Sequence, residues 1–96
     1  MQGPDAFLNL VGALAASAMQ QLGKLVNPLT GKTEVNLEGA RVTITLVEML
    51  RKKTKGNLSD DETKVLLNTL SSLQLNYVDE ANRSKDSAAP SEQKKT

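Results

Sequence analysis

The sequence contains no histidine, no cysteine and no tryptophan, and it has only one tyrosine and one phenylalanine among its 96 residues. Histidine is the usual general base near neutral pH and the commonest metal ligand. Cysteine supplies the thiolate nucleophile, the soft metal ligand and the disulfide bond. Their absence excludes structural zinc sites built on those ligands, disulfides, thiol chemistry and histidine-based catalytic triads. The hydrophobic core must be aliphatic.

Carboxylates are the remaining candidates for catalysis, but their positions do not form a site. Asp60, Asp61 and Glu62 are consecutive, so on a helix they point in different directions and cannot converge on one ion. Glu48 has no carboxylate nearby with which to form an acid–base pair. No set of nucleophile, base and orienting group can be assembled from these residue types. We therefore expect a protein that is not an enzyme and that binds no metal or cofactor.

The chain also lacks a strong net charge and a membrane-spanning run. Its formal charge is +1, which gives no bulk attraction to nucleic acid or anionic lipid. The apolar run at residues 7–19 is too short to cross a bilayer and is interrupted by Asn9 and Ser17. No Lys or Arg precedes it, as a signal peptide would require. We expect a cytoplasmic protein without membrane contact, and the absence of cysteine suits a reducing compartment.

Hydrophobic periodicity and capping residues predict three helices, at about residues 5–23, 36–55 and 59–82. Asp5 is the predicted N-cap of the first helix. Gly23 is the predicted residue just after its end, where a left-handed backbone conformation is common.

The second and third helices are separated by a very short connection. Gly56 is expected just after the second helix, and Ser59 with Glu62 forms a capping box at the start of the third. The connection at residues 56–58 is so short that the two helices must form a tight antiparallel hairpin. The sequence thus predicts an all-α, three-helix domain over residues 1–82, completed by dimerisation.

The C-terminal segment, residues 83–96, contains no large apolar side chain. Such a segment cannot bury enough surface to offset its loss of chain entropy. We expect it to be a disordered tail.

Each of the first two helices has more apolar or small surface than one neighbouring helix can cover. Small residues spaced four apart let a second backbone approach closely. The candidate self-association face of the first helix consists of Asn9, Gly12, Ala13, Ala16, Ser17 and Gln20. The alternative is an exposed face on which alanine serves only as a helix former. A second candidate interface consists of Val42, Leu46 and Met49 on the second helix.

One basic run is present, formed by Arg51, Lys52, Lys53 and Lys55. Cations in the last turn of a helix offset the negative end of its dipole, and here they would also face the acidic first turn of the third helix. This structural explanation accounts for the whole run. The functional alternative is a basic patch that contacts phosphates.

Several short motifs are spread over the predicted helices and their connections: Phe7-Leu8-Asn9-Leu10-Val11, Gln21-Leu22-Gly23, Asn27-Pro28, Thr30-Gly31-Lys32, Ala40-Arg41, Glu48-Met49-Leu50, Lys53-Thr54-Lys55-Gly56-Asn57-Leu58 and Tyr77-Val78. Together they resemble a family of small bacterial proteins known as a domain of unknown function, number eighteen forty-four. The resemblance covers roughly residues 7–78. It implies a short, all-helical bacterial protein and assigns no catalytic or binding residues.

The sequence therefore predicts a non-catalytic interaction or assembly module that acts through helix–helix contacts, as a homodimer and with a protein partner that the sequence does not identify. The alternative is an RNA- or ribosome-associated accessory factor that uses the basic run at Arg51–Lys55. Nucleic acid is the less favoured partner because no aromatic residue is interleaved with the basic run.

Overall fold

A computed structural model describes the backbone of residues 3–88 and the side chains of residues 6–83. It contains three α-helices in the order α1 (Gly3–Gln21), α2 (Leu37–Lys53) and α3 (Asp60–Ala88). Each helix packs against both of the others. Within the described range there is no β-strand, so the predicted all-α, three-helix class is confirmed. None of the described helices is long and apolar enough to cross a membrane.

The helix α1 begins earlier than predicted and ends as predicted. It starts at Gly3, so Asp5 lies in its first turn and the prediction of Asp5 as N-cap was wrong. Pro4 suits a first turn, where no backbone N–H donor is needed. At the other end, Gly23 has φ +76°. Its N–H donates to Gln20 O (3.0 Å), and the next N–H donates to Met19 O (2.8 Å), which is a Schellman motif.

The loop between α1 and α2 folds back on itself. The Asn27 N–H donates to Lys32 O (2.8 Å), and Gly31, with φ +75°, donates to Asn27 O (2.7 Å). The Asn27 side chain accepts the Leu29 N–H (2.9 Å), an Asx turn that stabilises the bend. These bonds return the chain to the end of α1, so α2 starts beside the point where α1 ends.

Capping side chains define the start of α2 and α3. Asn36 Oδ1 accepts the Gly39 N–H (2.9 Å) at the start of α2. The Ser59 hydroxyl accepts the Glu62 N–H (3.1 Å), and the Glu62 carboxylate accepts the Ser59 N–H (2.8 Å). The predicted capping box is therefore confirmed with both of its reciprocal bonds.

The ends of α2 and α3 differ from the prediction. The helix α2 ends at Lys53, so Gly56, with φ +86°, lies further beyond its end than predicted. The helix α3 continues to Ala88, past the expected end at residue 82. The predicted tail at residues 83–96 thus begins within α3, and residues 89–96 lie outside the described residues.

The core is aliphatic, as predicted. Its buried cluster consists of Val11, Ala18, Ile44, Val47, Leu66, Leu70 and Leu73. Leu66, Leu70 and Leu73 on α3 repeat at heptad spacing, and Tyr77 follows them half-buried. On α1 only the centre of the apolar stripe is covered. Leu14 is half-buried and Leu10 is 47% exposed, because α2 and α3 together contact a narrower arc of α1 than the sequence pattern indicated.

Candidate protein-interaction surface

The buried polar side chains of this domain have structural partners. Thr43, Glu62 and Glu80 are the buried polar residues among the described ones. Glu62 belongs to the capping box. In the same part of the chain, no three acidic side chains lie close enough together to hold a metal ion. These buried groups are thus accounted for by the fold.

Thr43 joins α2 to the end of α1. Its hydroxyl donates to Gly39 O (3.1 Å) and lies 2.8 Å from the Gln21 side-chain amide. With its nitrogen oriented toward Thr43, the Gln21 amide donates to that hydroxyl, to Gly39 O and to Ser17 O. A side chain at Gly39 would collide with Gln21, since a Cβ there would lie 2.9 Å from the amide. The glycine therefore allows α1 and α2 to approach closely at this end.

A charged cluster holds the α1–α2 loop against α3. Lys24 Nζ lies 3.2 Å from Asp79 Oδ2 and 3.9 Å from Glu80 Oε1. Arg83 lies within 4 Å of the same two carboxylates. The Glu80 side chain is only 8% exposed, so the two cations surround a nearly buried carboxylate. This cluster ties the start of the loop to α3.

The outer face of α2 is apolar and exposed. Val42, Leu46 and Met49 follow one another at spacings of four and three, so they lie on one side of the helix. Their exposed fractions are 52%, 42% and 39%. The buried residues of α2 are Ala40, Thr43, Ile44 and Val47, on the opposite side. The three residues predicted as a second interface are thus exposed, and the described part of the chain does not cover them.

This apolar face includes a shallow depression of about 290 Å³, lined by Glu38, Arg41, Val42, Thr45 and Leu46. Glu38, Arg41, Val42 and Thr45 are spaced i, i+3, i+4 and i+7, which is the arrangement that surrounds a hole on a helix surface. Arg41 Nη2 lies 2.7 Å from both carboxylate oxygens of Glu38. This contact raises the pKa of Arg41 above its usual value, and it places an ion pair on the rim of the depression.

The small-residue face of α1 is also open in the single chain. Asn9, Gly12, Ala13, Ala16 and Ser17 are exposed, and Gln20 is half-buried, with its amide nitrogen 3.5 Å from Val26 O. A Cβ added at Gly12 would meet nothing within 4 Å. Five of the six residues are thus exposed, and their role as a self-association face stays a prediction.

The basic run lies at the end of α2, as predicted. Arg51, Lys52 and Lys53 are in the last turn, where they offset the helix dipole. None of these cations, nor Lys55, forms an ion pair with a described residue. The acidic first turn of α3, which the run was expected to face, therefore does not pair with it, and the carboxylate of Glu62 accepts the Ser59 N–H in the capping box.

Sequence reasoning did not identify Glu38, Arg41 and Thr45 as part of a surface site. All three are polar and exposed residues of α2. The signal that could have identified them is their i, i+3, i+4, i+7 spacing around Val42. Leu75 on α3, 73% exposed, was also unexpected and lies outside the leucine repeat.

Comparison with known proteins gives one match. A family model described as "Domain of unknown function (DUF1844)" matches residues 4–80. The match spans α1, the turn-rich loop, α2 and most of α3, and it agrees with the resemblance seen in the sequence motifs. No curated protein and no solved structure matches the chain.

Proposed function

The chain belongs to the DUF1844 family, whose function is unknown, and from this premise we propose that it is a non-catalytic interaction module that assembles through helix–helix contacts, first with a second copy of itself. The observation that carries the proposal is the exposed apolar face of α2, formed by Val42, Leu46 and Met49. The fold uses the opposite side of the same helix for its core, so α2 carries apolar surface on both sides. A helix of this kind is stabilised by a neighbour on each side.

The exposed face supplies part of the free energy that a dimer needs. Fully burying a Val, Leu or Met side chain contributes about 1.5–3 kcal/mol. The three side chains are roughly half exposed, so covering them would add about 2–4 kcal/mol per copy, or about 4–9 kcal/mol per dimer. Association itself costs about 4–15 kcal/mol, so the apolar contact roughly offsets that cost. A dimer that forms at micromolar concentration needs a net gain of about 8 kcal/mol, which the contacts around the apolar face must supply.

The non-catalytic part of the proposal is supported by the composition and by the roles of the buried polar groups. Glu62 caps α3, Thr43 joins two helices, and Glu80 is held between two cations. The depression on α2 is lined by a single hydroxyl, that of Thr45, and this hydroxyl donates to Arg41 O (2.8 Å).

Charge substitution on α2 tests the proposal. We expect Leu46→Glu to convert a dimer into a monomer at tens of micromolar, because it places a carboxylate in the apolar contact. The measurement is sedimentation velocity, with thermal melting by circular dichroism to confirm that the variant folds. Leu75→Glu is the matched control, since Leu75 is a more exposed leucine on a different helix, and it should leave the dimer intact. A wild-type chain that remains monomeric at these concentrations contradicts the self-association that we propose.

A second candidate function rests on the basic run. Arg51, Lys52, Lys53 and Lys55 form no ion pair within the described part of the chain, and free cations are available to phosphates. We propose as the alternative an RNA- or ribosome-associated accessory factor. If all four cations contact phosphates, affinity for a labelled RNA hairpin should fall about a hundredfold between 50 and 200 mM salt. Lys52→Gln should reduce that dependence and Lys64→Gln, on α3, should not. Absence of RNA binding at 50 mM salt would rule this alternative out.

A further inference from the structure

We infer that two copies of this chain pair α2 against α2 in antiparallel orientation about a two-fold axis, with Leu46 of each copy seated in the depression of the other. This inference rests on the proposed function and specifies which of the two exposed faces makes the contact and in what register. The observations that carry it are the depression on α2, the apolar side chain beside it and the distribution of charge along the helix.

The spacing of the apolar side chains on α2 fits a helix–helix seam. Val42, Leu46 and Met49 occupy alternating d and a positions of a heptad, and Lys53 continues the series. In an antiparallel pair, an a position of one helix lies level with a d position of the other. Placing Leu46 level with Val42 of the second copy satisfies this rule, and the two-fold axis repeats the same contact on the other side.

The depression provides the hole that this seam requires. Its lining consists of Glu38, Arg41, Val42, Thr45 and Leu46, and Val42 is at the middle of that stretch of the helix. In the register given above, that is the level of the second copy's Leu46. A knob of one helix thus meets a hole of the other, and because the contact is reciprocal the interface closes as a dimer and does not propagate.

Charge along α2 favours the antiparallel orientation. The helix has Glu38 in its first turn and Arg51, Lys52 and Lys53 in its last turn. Antiparallel pairing in this register brings Glu38 beside Lys52 of the second copy, and this contact occurs twice per dimer. It also places the two helix dipoles in opposite directions, which is the favourable arrangement. Parallel pairing would place Glu38 beside Glu38 and the cations beside cations, which is unfavourable. Thr45, which is uncharged, lies near the two-fold axis and faces Thr45 of the second copy.

The small-residue face of α1 is a weaker candidate for this contact. Its exposed residues have small side chains with little apolar area each, and none is large enough to act as a knob. They are Asn9, Gly12, Ala13, Ala16 and Ser17. No depression among those described is formed by these residues.

Cross-linking through a single introduced cysteine tests the register, since the natural chain contains none. With a short bismaleimide and the full chain at tens of micromolar, we expect Thr45→Cys to give mostly covalent dimer. Ala16→Cys on α1 and Leu75→Cys on α3 should give little. If Ala16→Cys cross-links and Thr45→Cys does not, this inference is wrong while the proposed function stands. If none cross-links and the wild-type chain sediments as a monomer, both fail.

Mixing two charge variants tests the pairing of Glu38 with Lys52 across the interface. Glu38→Lys alone and Lys52→Glu alone should each weaken the homodimer about tenfold, because each creates two like-charge contacts. An equimolar mixture should form a heterodimer with about wild-type affinity, since both contacts are then attractive. A variant that dimerises poorly because of a change within its own chain, such as loss of the Glu38–Arg41 pair, would not be rescued by mixing. A mixture that dimerises no better than the separate variants overturns the antiparallel register.

Discussion

Leu73→Ala should remove a large share of the stability of this domain. Leu73 lies in the buried cluster at 1% exposure. A leucine-to-alanine change in such a site costs about 2–5 kcal/mol, which combines the lost transfer energy of the side chain with the cavity left behind. A domain of this length has a total stability of roughly 5–14 kcal/mol. With about 3 kcal/mol lost, the melting temperature should fall by roughly 10–25 °C.

Leu75→Ala on the same helix is the matched control. Leu75 is 73% exposed, so only about a quarter of the usual burial energy is at risk, roughly 0.5 kcal/mol. The higher helix propensity of alanine offsets part of that loss. Thermal melting and urea titration of both variants provide the comparison. If Leu75→Ala destabilises the chain as much as Leu73→Ala, α3 is rotated relative to the core described here, and the assignment of its buried face is refuted.

Three further changes test the backbone and capping arguments by the same melting assay. Gly23→Ala should destabilise the domain by more than about 1 kcal/mol, because Gly23 has φ +76° and an added Cβ would lie 2.9 Å from Val35 Cγ2. An unchanged melting temperature would contradict the Schellman assignment. Gly12→Ala should instead stabilise the domain by about 0.5–1 kcal/mol, since Gly12 is inside a helix with open space around it. A loss of stability would show that another group occupies the space beside Gly12. Ser59→Ala should cost about 1 kcal/mol through loss of the cap to the Glu62 N–H, and no loss would mean that the capping box does not form in solution.

The features that could be predicted from the sequence are those determined by neighbouring residues. The capping box of Ser59 and Glu62 needs side chains three residues apart and a helix between them, so four letters of sequence define it. Gly23 was placed just after the end of the first helix because few other residues tolerate a positive φ, and it has one. The leucines of α3 repeat at a fixed period, and a period on one helix can be recognised without knowing what packs against it.

The features that could not be predicted depend on how wide an arc of each helix its neighbours cover. The apolar stripe of α1 includes Leu10 and Val11 alike, but Val11 is buried and Leu10 is 47% exposed. Adjacent residues differ in this way because two helices meet α1 along defined lines, and the crossing geometry is not encoded in the period of α1 itself. The same limit applied to α2, whose apolar arc predicted two neighbours without showing which side the core would occupy.

The sequence by itself determined the number of helices, the starts of α2 and α3, the aliphatic nature of the core and the absence of histidine and thiol chemistry, because each of these follows from residue type and local spacing. Only the tertiary structure decided that Ala40, Thr43, Ile44 and Val47 are buried together while Val42, Leu46 and Met49 stay exposed. It also decided that the basic run forms no ion pair with a described residue. The physical reason is that burial and ion pairing are relations between segments distant in the chain, and these relations arise when the helices pack.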